Sequence, residues 1–143
     1  MGTWDVGPFD NDAAADWCGD LHDATPAQRR AMVRSAFTAV LGNGDDYLDS
    51  DLAVEAIAAA AIVASQLPGG AAITSSYAPD FLLEGGSLEV PDDVPAVAVR
   101  ALDRIVGDDS EWRELWEESG QGAAAVAVLQ QIRTTINAAL DKR

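Results

Sequence analysis

Residues 52–67 read LAVEAIAAAAIVASQL, and the reading of that stretch decides the fold. Alanine and branched aliphatics fall on every face, with Glu55, Ser65 and Gln66 as the polar exceptions. A surface helix keeps one polar stripe, so a helix apolar all round is either central in a bundle or membrane-spanning. Sixteen residues thinned by small alanines fall short of the roughly 20 strongly apolar residues of a span. The stretch is therefore read as the central helix of an all-α bundle, its alanines letting neighbours approach closely.

Working outward, about six helices are expected around it, in one domain over residues 1–143. Asp10 or Asn11 caps a first helix over residues 12–22, with Ala14, Trp17, Cys18 and Leu21 facing inward. Thr25-Pro26-Ala27-Gln28 combines an N-cap threonine, a proline at the first helical position and a glutamine three after the cap, which opens a second helix to about Leu41. Its buried stripe is Val33, Ala36, Phe37, Val40 and Leu41. Arg29, Arg30 and Arg34 near its start are expected to answer nearby acid. Asp45, Asp46, Asp49 and Asp51 lead into the central helix, where carboxylates suit the positive end of its dipole. Pro68-Gly69-Gly70 ends it. Residues 71–90 read as irregular except for a short helix near 79–84, closed by Gly85-Gly86. Further helices are expected over 93–106 (apolar face Val94, Val97, Leu102, Ile105 and Val106), 110–119 and 123–140. Trp112, Leu115 and Trp116 share one side of the second of these, a spacing read as a core stripe. The last carries a seam of Val126, Leu129, Ile132, Ile136 and Leu140.

The formal net charge is −15. Such a field repels nucleic-acid phosphates and anionic lipid heads and attracts basic protein surfaces, so a basic protein partner is expected and neither nucleic acid nor membrane is. Lys142 is the sole lysine, and acid excess with abundant alanine fits a GC-rich genome or adaptation to high salt. Cys18 is the sole cysteine, which rules out an intramolecular disulfide. The opening MGTWDVGPFD has neither a basic n-region nor an apolar h-region, so no secretory signal and a cytoplasmic location are expected. Trp4 and Phe9 are expected to tuck against the core.

The stretch GTWDVGPFDNDAAADWCGDL, residues 2–21, resembles the opening of a widespread bacterial family known as domain of unknown function 4259. The matching positions are Trp4, Gly7, Phe9, Asp10, Asn11, Asp12, Ala14, Asp16 and Trp17, with Asp5 where the family usually has glycine. The resemblance implies a helical domain of about this length and supplies no reaction, substrate or cofactor. It singles out the turn Phe9, Asp10, Asn11 and Asp12 as either a fold-defining cap or part of a site, and capping is what Asn and Asp do at such positions.

Candidate chemistry is sparse. Cys18 and His22 stand four apart, the minimal spacing for a nucleophile and its base on one helix face. Asp16, Asp20, Asp23 and the carboxyl end of the helix all disfavour a thiolate there, so the pair reads as a core cysteine and a rim histidine. Asp10, Asp12 and Asp16 lack the glycine and closing glutamate of an EF-hand, as do Asp45 to Asp51, and one histidine with one cysteine cannot build a transition-metal site. No metal ligand set and no cofactor are therefore expected. Glu55, the acid inside the apolar helix, gains a raised pKa if buried and then becomes an acid or base. Asp12, Asp16 and Asp20 repeat every four residues, with Asp23 beyond, as an acidic ridge open to a partner.

Two functions fit these features. The first is a non-enzymatic binding protein, of immunity or antagonist type, directed at a basic protein through Asp12, Asp16, Asp20 and Asp23. The alternative is a small carboxylate enzyme or a ligand- or cation-binding protein using Asp10, Asp12 and Glu55. A third, plainer account gives the acid no task beyond solubility. The sequence leaves the oligomeric state open.

Overall fold

The computed structural model describes residues 7–44, 46–70, 73, 78–84 and 86–141. Among them the chain is all-α, with seven helices and no strand. They are α1 (Asp12–Asp23), α2 (Pro26–Gly42), α3 (Ser50–Gln66), α4 (Asp80–Leu83), α5 (Val94–Ile105), α6 (Glu111–Glu118) and α7 (Gly122–Asp141). The expected positions of Trp4, Asp5, Asp45 and Gly85 lie outside the described residues.

The central helix is α3, which packs against α1, α2, α5, α6 and α7. Ala53, Ala56, Ala58, Ala59 and Ala60 are fully buried. Alanine contributes little apolar area of its own, and its value here is that bulkier neighbours settle directly on the helix. The helices packed around it bury Leu21, Phe37, Leu102, Ile105, Leu129 and Ile136 in the same core, all nearly inaccessible, and each such side chain is worth about 1.5–3 kcal/mol on burial. The helix starts two residues earlier than expected because Asp49, not a later residue, is its cap: the Asp49 carboxylate accepts the Asp51 N–H at 2.7 Å. It ends where expected. The Leu67 N–H returns to the Ala64 carbonyl, and Gly69 adopts a left-handed φ of 85°.

The start of α2 is a complete capping box, Thr25 Oγ1 accepting the Gln28 N–H at 3.2 Å and Gln28 Oε1 accepting the Thr25 N–H at 3.0 Å. Leu41 is only half-buried, so the α2 stripe ends at Val40. Along α5 the small residues Ala98 and Ala101 are buried with Val94, Val99, Leu102 and Ile105, whereas Val97 and Val106 sit at the edge. On α7, Leu129 and Ile136 are buried while Val126, Ile132 and Leu140 are half-buried. Alanines at Ala125 and Ala139 take the close contacts instead.

Two loops are tied together beside α3. Leu48 forms a parallel bridge with Ser110, its N–H donating to the Asp109 carbonyl at 2.8 Å and its carbonyl accepting the Glu111 N–H at 2.9 Å. Arg104 clamps the same loops by donating to the carbonyls of Gly44, Asp46, Asp108 and Asp109. These bonds fix the start of α3 against the start of α6.

Candidate functional site

The turn that opens the chain's described part is built as a cap. Asn11 is buried, and its Oδ1 accepts the Ala14 N–H at 2.8 Å, satisfying one of the free donors at the start of α1. Asp10 Oδ2 accepts the Gly7 N–H at 3.1 Å while the Asp10 N–H returns to the Gly7 carbonyl at 3.2 Å. A Cβ at Gly7 would run into that carboxylate. Phe9 is buried. Of the four turn residues, only Asp12 stands exposed.

From Asp12 the ridge continues along α1, and Asp16, Asp20 and Asp23 are exposed as well. The arginines expected to answer it do otherwise. Arg29 donates to the carbonyls of Leu21 and His22 at 3.0 and 2.6 Å, closing the carboxyl end of α1. Arg30 pairs with Glu89 and Arg34 with Asp93, which ties α2 to the entry of α5. The cause is orientation: the amino end of α2 lies against the end of α1, where free carbonyls outcompete a ridge on the helix's outer face. None of the four ridge carboxylates has an ion-pair partner among the described residues.

Packing of α1 on α3 carries this acid onward. Glu55 is half-buried, and its pKa is raised, first by desolvation and then by the charges of Asp51 and Asp20. At the head of α3, Glu111 of α6 accepts the Ser50 N–H at 2.9 Å. Acid therefore runs from α1 over the first half of α3 to α6.

Cys18 and His22 do not cooperate. Burial pushes the Cys18 thiol up to about 12, and no hydrogen bond joins it to the imidazole. His22 Nδ1 instead accepts the Phe81 N–H at 3.2 Å. The imidazole stacks on the Phe81 ring at 6.1 Å, and the Arg29 guanidinium lies 3.7 Å from the same ring's centre. Nothing local to residues 18–22 signals this role, because it depends on α4 folding back onto α1.

The α6 stripe needs a correction. Trp112 is buried and Trp116 half-buried, but Leu115 is 51% exposed. With only eight residues, α6 presents a narrow buried face, and Trp112 and Trp116 fill it. Between α6 and α7 they line an open groove of about 370 Å³ with Val106, Val126 and the Arg113–Glu117 ion pair. Tyr47 is 54% exposed beside α6. Hydrogen bonding to the Glu114 carboxylate, then desolvation and the charges of Glu114, Glu111 and Glu118, push its phenol up to about 12. Tyr47 and this α6 face went unread in the sequence, although the spacing of Glu111, Glu114 and Glu118 was a signal for one acidic face. No group of three His, Cys, Asp or Glu side chains among the described residues is placed to hold a metal ion. Nor is any helix among them long and apolar enough to cross a membrane.

The chain belongs to the family "Domain of unknown function (DUF4259)", whose profile matches residues 2–128. No curated protein and no solved structure matches it.

Proposed function

We propose that the protein works by binding a basic protein, in the manner of an immunity or antagonist protein. One observation carries this reading. Asp12, Asp16, Asp20 and Asp23 are exposed and without ion-pair partners among the described residues, while the adjacent arginines are committed to backbone carbonyls and other acids. Like charges one helical turn apart cost about 0.2–0.5 kcal/mol each, so an uncompensated ridge is a standing cost that a basic partner removes. The field also speeds encounter with such a partner and does so less as salt shortens the Debye length.

The test uses purified protein as bait, with Asp16→Asn/Asp20→Asn run beside Asp108→Asn/Asp141→Asn as a matched neutralisation elsewhere. A basic protein should be retained by wild type and by the control variant at 0.15 M salt. The ridge variant should lose it, with association at least about tenfold slower and less salt-dependent. Equal retention by both variants makes the ridge solvated surface and sinks the reading.

A further inference from the structure

Three large apolar side chains are markedly exposed among the described residues, namely Tyr47, Leu83 and Leu115, and two of them meet the same helix. Leu115 shares a face of α6 with Glu111 and Glu118, at i+4 and i−3, and Glu114 adjoins them. The Tyr47 hydroxyl lies by the Glu114 carboxylate.

Tyr47 is held out by its surroundings. Its neighbour Leu48 is fully buried and bridged to Ser110, so the extended backbone turns the Tyr47 side chain the opposite way. The preceding turn is fixed by Asn43 Nδ2 donating to the Asp46 carbonyl at 2.7 Å and by Arg104 donating to the same carbonyl at 2.8 Å. A rigidly presented aromatic loses little entropy on binding.

The nearby arginines are engaged elsewhere, Arg104 beside the Tyr47 turn being committed to the backbone carbonyls of Gly44, Asp46, Asp108 and Asp109. Arg113 projects from the other side of α6, engaged with Glu117 and the Val106 carbonyl. Two exposed apolar side chains set among charges of one sign suit a partner of the opposite sign, and the sign selects the occupant. A second copy would bring the same acid against it.

We infer that Tyr47 and Leu115, with Glu111, Glu114 and Glu118 around them, form a docking face for a cationic amphipathic segment of a protein, its basic residues meeting the glutamates and an apolar side chain seated between Tyr47 and Leu115. This rests on the basic-partner reading and deepens it, because the acid running from α1 across Glu55 and Asp51 to Glu111 joins the ridge to this face. The ridge supplies attraction, and the Tyr47–Leu115 pair supplies an anchor that charge alone lacks.

The test uses two synthetic peptides of equal positive charge, one a lysine-rich helix with a leucine stripe and the other with alanine at those positions. At 0.15 M salt the leucine peptide should bind wild type at least about tenfold more tightly than the alanine peptide. Tyr47→Ser/Leu115→Ser, which alters only exposed side chains, should reduce that advantage below about twofold and leave binding of the alanine peptide unchanged. Amide shifts on titration should cluster at Tyr47, Glu114 and Leu115. An advantage that survives the double substitution places the anchor elsewhere and overturns the docking face, while loss of alanine-peptide binding in Asp16→Asn/Asp20→Asn would still support the basic-partner reading. If neither peptide binds, both readings fall. If wild type forms dimers that Leu115→Ser dissociates, the face is a self-contact and the docking face is overturned.

Discussion

Glu55 shows how one side chain couples burial to charge. It occupies the first turns of an otherwise apolar helix, half-buried, with Asp51 one turn before it and Asp20 of α1 alongside. Desolvation and both neighbours disfavour its ionised form, so its folded pKa lies above the ordinary value of about 4.3. The native state then binds more protons than the unfolded chain between those two values. The contribution of Glu55 to stability accordingly falls as pH rises through the unfolded value and levels off above the folded one. Glu55→Gln should be neutral at pH 3 and stabilising at pH 7, because the neutral amide removes the desolvation cost, which is the larger cause, together with repulsion from Asp51 and Asp20, the Asp51 pair alone being worth about 0.2–0.5 kcal/mol. Urea unfolding midpoints at the two pH values measure this. A variant destabilised at pH 7 alone would mean that the carboxylate is ionised and paired.

At the scale of the element, the helix ends are where local chemistry decides structure, and they are also where the sequence was most legible. The Thr25–Gln28 box, the Asn11 cap and the Pro68-Gly69-Gly70 stop are local signals, written within four residues of the boundary they set. Glycines sort by surroundings. A Cβ at Gly70 would run into the Ala64 carbonyl, backbone that cannot swing aside, whereas a Cβ at Gly19 on α1 meets nothing within 4 Å. Gly70→Ala should therefore destabilise by at least about 1–3 kcal/mol, and Gly19→Ala should stabilise by about 0.5–1 kcal/mol. Opposite shifts in thermal midpoint are the expected result, and equal shifts would refute the placement of the α3 stop. What the sequence could not show was which of two adjacent faces a short helix buries. Leu115 has the same spacing to Trp112 as a core residue would, and only the eight-residue length of α6 with its docking on α7 leaves it outside. Likewise Arg29 was legible as a charge near α1, but its choice of carbonyls over the ridge follows from interhelical geometry.

Across the described part of the molecule, six of the seven arginines engage carbonyls or carboxylates of the chain, while the four acids of the α1 ridge stay exposed without ion-pair partners. Arg29 and Arg104 satisfy backbone carbonyls at helix ends and loops, and Arg113 holds the Val106 carbonyl besides its carboxylates. Arg30, Arg34 and Arg133 join α2 to the entry of α5 and α5 to α7. Salt thus acts on two opposing terms. It weakens the exposed ion pairs, each worth about 0–1 kcal/mol, and it relieves repulsion among 24 acids facing 9 basic residues. Repulsion should win, because the net charge is −15, only four arginines form ion pairs among the described residues, and like charges on α1 have no answering cation there. The Debye length falls from about 30 Å at 0.01 M toward about 8 Å at 0.15 M, a range in which screening acts before salting-out of apolar surface matters. The thermal midpoint should rise over that interval, by roughly 4 °C for each kcal/mol of repulsion relieved. Asp16→Asn/Asp20→Asn should raise the midpoint at 0.01 M and flatten its salt dependence, because the variant removes part of what the salt screens. A midpoint that falls with salt would mean that the arginine pairs outweigh the surface repulsion, and that the ridge imposes no cost for a partner to relieve.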